Sequence, residues 1–354
     1  MSLENRVQKA LVIESPKTPF VLKTVPIPKP GPGEVLVKII ASGLNPVDWV
    51  LQTRDYFAPH TPYPAIIGFD IAGDVEEVGP GVEAIFKGER VFLGPKMNSN
   101  NYAAFQQYAL APVEFLGKIP KNLSYAQAAS VSLTFTTAAY GLLPAHPIGM
   151  GLNPTFDDTV SYPEASALVI GGSTSVGQYA IQILKYLGFG AIIAYASAKH
   201  TEFLTSLGAT HVIDRNQISL ADLPTALPRV YAQPIQVIYS AVTLPEAQDA
   251  AYACLANDGK LAVATPQLVL REDAEATGKK FYGVFGSPYT PANREFGLVL
   301  WKHLPRLLES SVFVPNRLEE LPNGLSGIVD GLKKLEKGEV SGVKLVASPQ
   351  STTA

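Results

Sequence analysis

The chain opens on short apolar runs broken by Gly and Pro. Residues 36–40, Leu-Val-Lys-Ile-Ile, follow the turn Pro30-Gly31-Pro32-Gly33 and predict a strand. Residues 66–75 predict another, and the glycines Gly68 and Gly73 within it mark bulges or close backbone approach. Arg90-Val91-Phe92-Leu93 follows the turn Lys87-Gly88-Glu89. Short strands between Gly and Pro turns, up to about Pro120, predict a barrel-like β-rich region.

The period then changes. Residues 124–142 have helical composition with Ser124 as N-cap, and residues 143–165 form a Pro- and Gly-rich connection. Strands and helices alternate after that. Strands are predicted at 167–170, 191–195, 211–213, 236–239 and 261–264, and helices at 175–187, 200–207 and 245–255. Strands that are apolar throughout are covered on both faces, so this region predicts a doubly wound parallel sheet of the α/β class. In such sheets a ligand sits at the carboxyl ends of the strands. Helices at 293–308 and 324–337 and a strand at 343–346 close the chain.

Composition narrows the reading. With 354 residues, 47% hydrophobic and 17% charged, the chain can bury a large core and divide into domains. A net charge of −3 without a dense basic run argues against nucleic acid as partner. The single cysteine, Cys254, can form neither an internal disulfide nor a cysteine-rich zinc site. No apolar run is long enough to span a bilayer, and the N-terminus carries no signal-peptide pattern, so the expectation is a cytoplasmic protein away from membranes.

The sharpest local signal is Gly171-Gly172-Ser173-Thr174-Ser175-Val176-Gly177, between an apolar strand and a helix. Glycines let backbone approach phosphate, and N–H groups at the helix start receive it. The loop departs from strict G-x-G-x-x-G: Ser173 stands next to Gly172, and Ser175 takes a place often held by glycine. A tight turn without ligand is the plain alternative, but the alternating context favours a dinucleotide site. After the second strand the chain reads Ala196-Ser197-Ala198-Lys199-His200, with no acid for ribose hydroxyls. Ser197, Lys199 and Arg215 suit a 2′-phosphate instead, which points to NADPH. Otherwise Lys199 and Arg215 are ordinary solvated charges.

With that loop, Gly43-Leu44-Asn45-Pro46-Val47-Asp48, residues 68–79, Gly88-Glu89-Arg90-Val91, residues 104–108, residues 136–140 and residues 338–346 give the chain a resemblance to the medium-chain dehydrogenase/reductase superfamily over nearly its whole length. It most resembles the zinc-free quinone oxidoreductase and enoyl reductase branch, especially fungal trans-acting enoyl reductases of polyketide pathways, the lovastatin-pathway type included. The resemblance implies a GroES-like catalytic domain over 1–125, a Rossmann NADPH-binding domain over 126–310, and a C-terminal segment, 311–354, that returns to the first domain. It implies hydride transfer to an enone or enoyl thioester, free or carried by a partner polyketide synthase, by a monomer or homodimer. An NADPH:quinone oxidoreductase and a non-catalytic NADPH-binding protein are the alternatives.

Residue by residue, the resemblance places Asn45 and Thr137 at the nicotinamide and adds Val242 and Lys344 to the cofactor contacts. Zinc relatives carry Cys at Asn45 and a His-Glu pair at Phe69-Asp70; Asn and Phe do not replace those ligands, so no metal is expected. Relatives place Lys or Tyr where this chain has Val50, which offers no proton. Water, or one of Tyr56, Tyr63 and Tyr102, with Tyr56 foremost, is then the proton source; packing is the plain alternative for each tyrosine. Trp49, Phe57, Phe135 and Phe285 are candidate walls of a substrate pocket or equally core. Asn45 also has a local reason as a turn former before Pro46, and Asp48 a structural one in the same turn. Helix packing is the plain alternative for Thr137.

Overall fold

The computed structural model describes residues 6–54, 62–94, 96, 99–269 and 271–353. The chain divides into two compact units, one of residues 1–133 with 287–354, the other of residues 134–286.

In the first unit, seven strands among the described residues join one sheet. Its centre is Glu34–Gly43, with Val35, Val37 and Ile39 fully buried. This strand pairs antiparallel with Asp70–Val78 on one side and with Tyr108–Pro112 and Lys344–Ala347 along the other. The pairing with Asp70–Val78 shifts register twice, between Leu36 and Val37 and between Ile39 and Ala41. Gly73 lies at that irregularity, where a Cβ would meet the Lys38 carbonyl at 2.0 Å. The expected close approach is therefore real. The expected strand over 66–75 is shorter at its start: Gly68 has φ +100°, and pairing begins at Asp70. Arg90–Leu93 and Leu116–Lys118 extend the sheet beyond Asp70–Val78. Leu318–Leu321 lies parallel to Lys344–Ala347 at the other edge. A separate hairpin joins Val7–Ile13 to Phe20–Pro26.

In the second unit, six parallel strands stand in the order His211–Asp214, Ala191–Ala196, Ser166–Ile170, Ile235–Ser240, Leu255–Val263, Lys280–Gly283. The two central strands nearest the start, Ser166–Ile170 and Ala191–Ala196, are buried at every position, which is why they read as unbroken apolar runs. The chain winds outward one way from Ser166–Ile170 and then the other way from Ile235–Ser240. The switch point lies between those two neighbours, where open α/β sheets leave room for a ligand.

Two boundaries differ from the sequence pattern. The helix expected over 124–142 is two, Tyr125–Ala129 and Ser132–Leu142. Ser124 caps the first through a reciprocal pair with Gln127, and Ser130 ends it by bonding back to the Gln127 carbonyl. The second unit is also tighter than the 126–310 span: residues 126–133 and the helix Arg294–Glu309 group with the first unit. There Trp301 packs on Phe92, ring centroids 5.2 Å apart, and the Asn122 amide reaches the Leu308 carbonyl.

Candidate active site

The phosphate loop leaves strand Ser166–Ile170 through Gly171, whose φ of +79° suits glycine. Thr174 then caps helix Ser175–Tyr186, its Oγ1 accepting from Gly177 N at 3.0 Å. Gln178 Nε2 donates to the Ser173 carbonyl at 2.9 Å and holds the loop against its own helix. Gly177 permits this closeness: a Cβ there would meet Gly171 O at 2.2 Å. Gly172 lies on Ala194, 3.0 Å from a Cβ built there. Gly171 lies against Val242 across the switch point, and Ser240 Oγ fixes that turn by donating to the Val242 carbonyl at 2.7 Å. Gly172, Ser173, Thr174, Ser175, Val176 and Val242 thus surround one bend. First-turn N–H groups of a helix lack intrahelical acceptors. Together with the positive end of the helix dipole, they give this bend the chemistry that suits a pyrophosphate. The residues present fit a dinucleotide.

Ser197 follows the neighbouring strand and is 6% exposed, while Lys199 and Arg215 reach into solvent. Among the described residues neither cation joins an ion pair with a carboxylate. Asp214, which the sequence reading passed over, ends the third strand here. Its Oδ1 accepts from Ala198 N at 3.1 Å and Asn216 N at 3.0 Å. Thr137 belongs to the same unit. Its carbonyl accepts from Tyr239 Oη at 2.9 Å, and Gly286 packs on its side chain. Tyr239 is next to last in strand Ile235–Ser240, so Thr137 borders the carboxyl edge of the sheet.

The first unit holds a buried polar cluster of its own. Asn45 precedes Pro46, which opens helix Pro46–Arg54. Asp48, in that first turn, reaches back to accept from Asn45 N at 2.7 Å, one half of a capping box. The structural role of Asp48 is thereby visible. The Asn45 amide donates from Nδ2 to Asp70 Oδ2 at 2.8 Å and accepts at Oδ1 from Lys344 Nζ at 2.5 Å. Lys344 Nζ also lies 2.7 Å from Asp70 Oδ2, and Leu133 N donates to Asp70 Oδ1 at 2.7 Å. Gly43 makes room: a Cβ there would come within 3.0 Å of both Asp70 Cβ and Lys344 Cε. The expectation that Lys344 reaches a cofactor meets a side chain 3% exposed, with its ammonium between Asp70 and Asn45. Burial pushes the Asp48 carboxyl up to about 8, with the Asp70 charge adding to the rise; the Asn45 N–H and the Lys344 ammonium pull it back.

Of the candidate acids, Tyr56 lies outside the described residues, as does Phe57. Tyr102 donates to Glu34 Oε1 at 2.5 Å. Burial, and then Glu34, raise its hydroxyl to about 12, so it holds its proton for structure. Phe135 is fully buried against Tyr179, at 5.3 Å, and is core rather than pocket wall. Trp49 packs on the first unit's core beneath the Arg54 guanidinium. Lys96 escaped the sequence reading. It borders a small apolar pocket of the first unit with Leu51, Ile67, Phe69 and Ala103. Its ammonium lies 3.4 Å from the Tyr102 ring centroid, and burial lowers its pKa against the pull of Glu34 and Glu114. An ammonium so placed can hold a carbonyl oxygen or carboxylate that enters.

Comparison with known proteins agrees with both units. Residues 31–121 match the family described as alcohol dehydrogenase GroES-like domain, and residues 175–269 match the family described as zinc-binding dehydrogenase. The trans-enoyl reductase ACTTS2 of Alternaria alternata is 31% identical over 352 residues, covering 96% of this chain and 98% of that protein. The chain belongs to the medium-chain dehydrogenase/reductase superfamily. A zinc-type alcohol dehydrogenase-like protein of Schizosaccharomyces pombe is 28% identical, covering 96% of this chain and 99% of that one. An alcohol dehydrogenase superfamily protein from Novosphingobium aromaticivorans superposes with TM-score 0.78 at 26% identity, covering 96% and 99%. Like other medium-chain dehydrogenases/reductases, the chain is an oxidoreductase that uses a nicotinamide cofactor. The zinc in the family description falls on residues 175–269; Asn45 and Phe69 lie outside that match. Among the described residues no group of three or more His, Cys, Asp or Glu could hold a metal, and no helix is long and apolar enough to cross a membrane.

The buried cluster generates two predictions. Lys344→Met leaves Asp70 buried without its cation, and a buried pair broken this way costs about 3–5 kcal/mol. Urea denaturation should show that loss, and Asp70→Asn added to Lys344→Met should recover much of it. A double variant no more stable than Lys344→Met would deny that the charge is the cause. For Asp48 the folded state keeps a proton that the unfolded state gives up, from the ordinary Asp range to about pH 8. The folded state therefore binds more protons there, and stability falls as pH rises through that window. Asp48→Asn, a neutral isostere, should flatten the fall in melting temperature between pH 5 and pH 8; an unchanged slope would show that Asp48 ionises normally.

Proposed function

We propose that the protein is an NADPH-dependent reductase that saturates an activated carbon–carbon double bond, an enone or enoyl thioester, without zinc. One observation carries the cofactor choice. Ser197, Lys199 and Arg215 stand around the end of the second strand, and the nearby carboxylate, Asp214, is engaged with backbone N–H groups. A 2′-phosphate finds cations and hydroxyl there, where a ribose-binding carboxylate would repel it. The bound cofactor would supply hydride. The loop 171–177 would receive its pyrophosphate, and Thr137 its nicotinamide end at the carboxyl edge of the sheet.

The choice of acceptor rests on residue chemistry and on the enoyl reductase relative. An alcohol or ketone reductase of the zinc type needs a Lewis acid on the reacting oxygen. Here the position of its Cys ligand is Asn45, whose amide is engaged by Lys344 and Asp70. Conjugate reduction needs only an oxyanion contact and a proton. Val50 offers neither, and Tyr102 is committed to Glu34. The thioester as substrate class follows the trans-enoyl reductase ACTTS2, and a carrier-bound chain is the form such a substrate takes with a synthase partner.

The test is NADPH oxidation at about 340 nm, the absorbance of the reduced nicotinamide, with enones, enoyl thioesters and quinones, free and carrier-loaded. Alkene products heavier by about 2 Da, one hydride and one proton, support the reading. Turnover of quinones alone would make the protein a quinone oxidoreductase. NADPH binding with no turnover on any substrate, carrier-loaded ones included, would leave a binding protein. Lys199→Ala should weaken NADPH roughly ten- to a hundredfold, from loss of one charged contact, and leave NADH nearly unchanged. Equal losses for both would remove the 2′-phosphate from this place. Turnover should also survive dialysis against EDTA; a loss restored by zinc would contradict the zinc-free chemistry.

A further inference from the structure

The end of the third strand clasps the end of the second. Arg215 N donates to Ala196 O at 3.0 Å, Asp214 Oδ1 accepts from Ala198 N at 3.1 Å, and Asn216 Nδ2 donates to Ser197 Oγ at 3.1 Å. Successive residues of one turn thus grip successive residues of its neighbour. The first of the three bonds ends on buried Ala196, the last residue of its strand. All lie at the carboxyl edge, beside Lys199.

A hydroxyl carries one proton and two lone pairs. A lone pair of Ser197 Oγ is already bound by the Asn216 amide, so the proton of that hydroxyl turns away from Asn216 and is left to be donated. Asp214 is the opposite case. A carboxylate only accepts, and one facing this place would attract ribose hydroxyls and repel a phosphate. Its Oδ1 instead takes two backbone N–H groups, from Ala198 and Asn216, and so is turned into the loop.

We propose that Asn216 is a positioning residue for cofactor selection: its amide fixes the Ser197 hydroxyl as a hydrogen-bond donor to the 2′-phosphate of NADPH, in a turn that also keeps Asp214 directed inward. The inference rests on the NADPH reading. It adds an exposed, uncharged residue to a choice otherwise attributed to Ser197, Lys199 and Arg215.

The experiment is calorimetric titration of the full chain with NADPH, NADH, 2′,5′-ADP and 5′-AMP, which needs no turnover. Asn216→Asp replaces the donor by an acceptor, which captures the Ser197 proton and adds a negative charge. It should weaken NADPH and 2′,5′-ADP roughly ten- to a hundredfold, and Asn216→Ala roughly three- to tenfold, on the scale of one hydrogen bond to a charged group. NADH and 5′-AMP should change less than about twofold, as expected where no contact is lost. Because Asn216 acts through Ser197, Asn216→Ala should add little in a Ser197→Ala background. A residue that merely braces the loop would weaken all four ligands alike, and that result overturns the proposal. So does an unchanged NADPH affinity in both Asn216 variants while Lys199→Ala still separates NADPH from NADH. If wild type and Lys199→Ala alike fail to distinguish 2′,5′-ADP from 5′-AMP, the NADPH reading itself falls and this inference with it.

Discussion

One buried ammonium underlies the organisation of the first unit. Asp48 and Asp70 are both fully buried, and Asn45 nearly so. A buried carboxylate is costly unless a cation lies beside it. Lys344 provides it, arriving from a strand that closes on Gly43 and Ser42. The remaining excess is relieved by a proton held on Asp48. The GroES-like sheet, the helix after Asn45 and the chain's last strand therefore meet at one charge-balanced point. There Asn45, expected at the nicotinamide, has its amide engaged by both Asp70 and Lys344.

The second unit is organised by closeness rather than charge. Gly177 and Gly171 let the first helix start almost on top of the first strand, and Val242 covers the bend from across the switch point. The binding surface is mostly backbone there. Side chains take over at the next strand end, where Ser197, Asp214 and Asn216 are knit together. The glycine bend and the neighbouring strand end are thus held by separate hydrogen-bond systems.

How much of this was legible followed from burial. Ala191–Ala196 is buried at every position, so its apolar run announced a two-sided parallel strand. Phe20–Pro26 is partly or fully exposed throughout, and its mixed pattern gave no such signal. Helix Pro46–Arg54 was hidden because Asn45-Pro46 also makes a good turn; only the reach of Asp48 back to Asn45 distinguishes the two. The glycine loop could be read because its chemistry is local. The contact of Lys344 with Asn45 spans 299 residues, and Asn216 reaches Ser197 from the turn after the neighbouring strand. No local pattern encodes either. Lys96 was missed for the same reason, since an exposed-looking lysine between Pro95 and Met97 becomes special only where the Tyr102 ring meets it.

The chain's division into units also sets an order of events during synthesis. Residues 134–286 are contiguous and can close as soon as they leave the ribosome, because domains fold as units. The first unit is made of both ends of the chain. Its strand Glu34–Gly43 waits, one edge incomplete and its buried acids without their cation, until Lys344–Ala347 emerges. Residues 1–133, translated before the second unit, are thus finished after it, and a nascent chain stalled short of Lys344 would carry a completed cofactor domain joined to an open sheet. Exposed sheet edges of that kind are what chaperones shield and aggregates recruit.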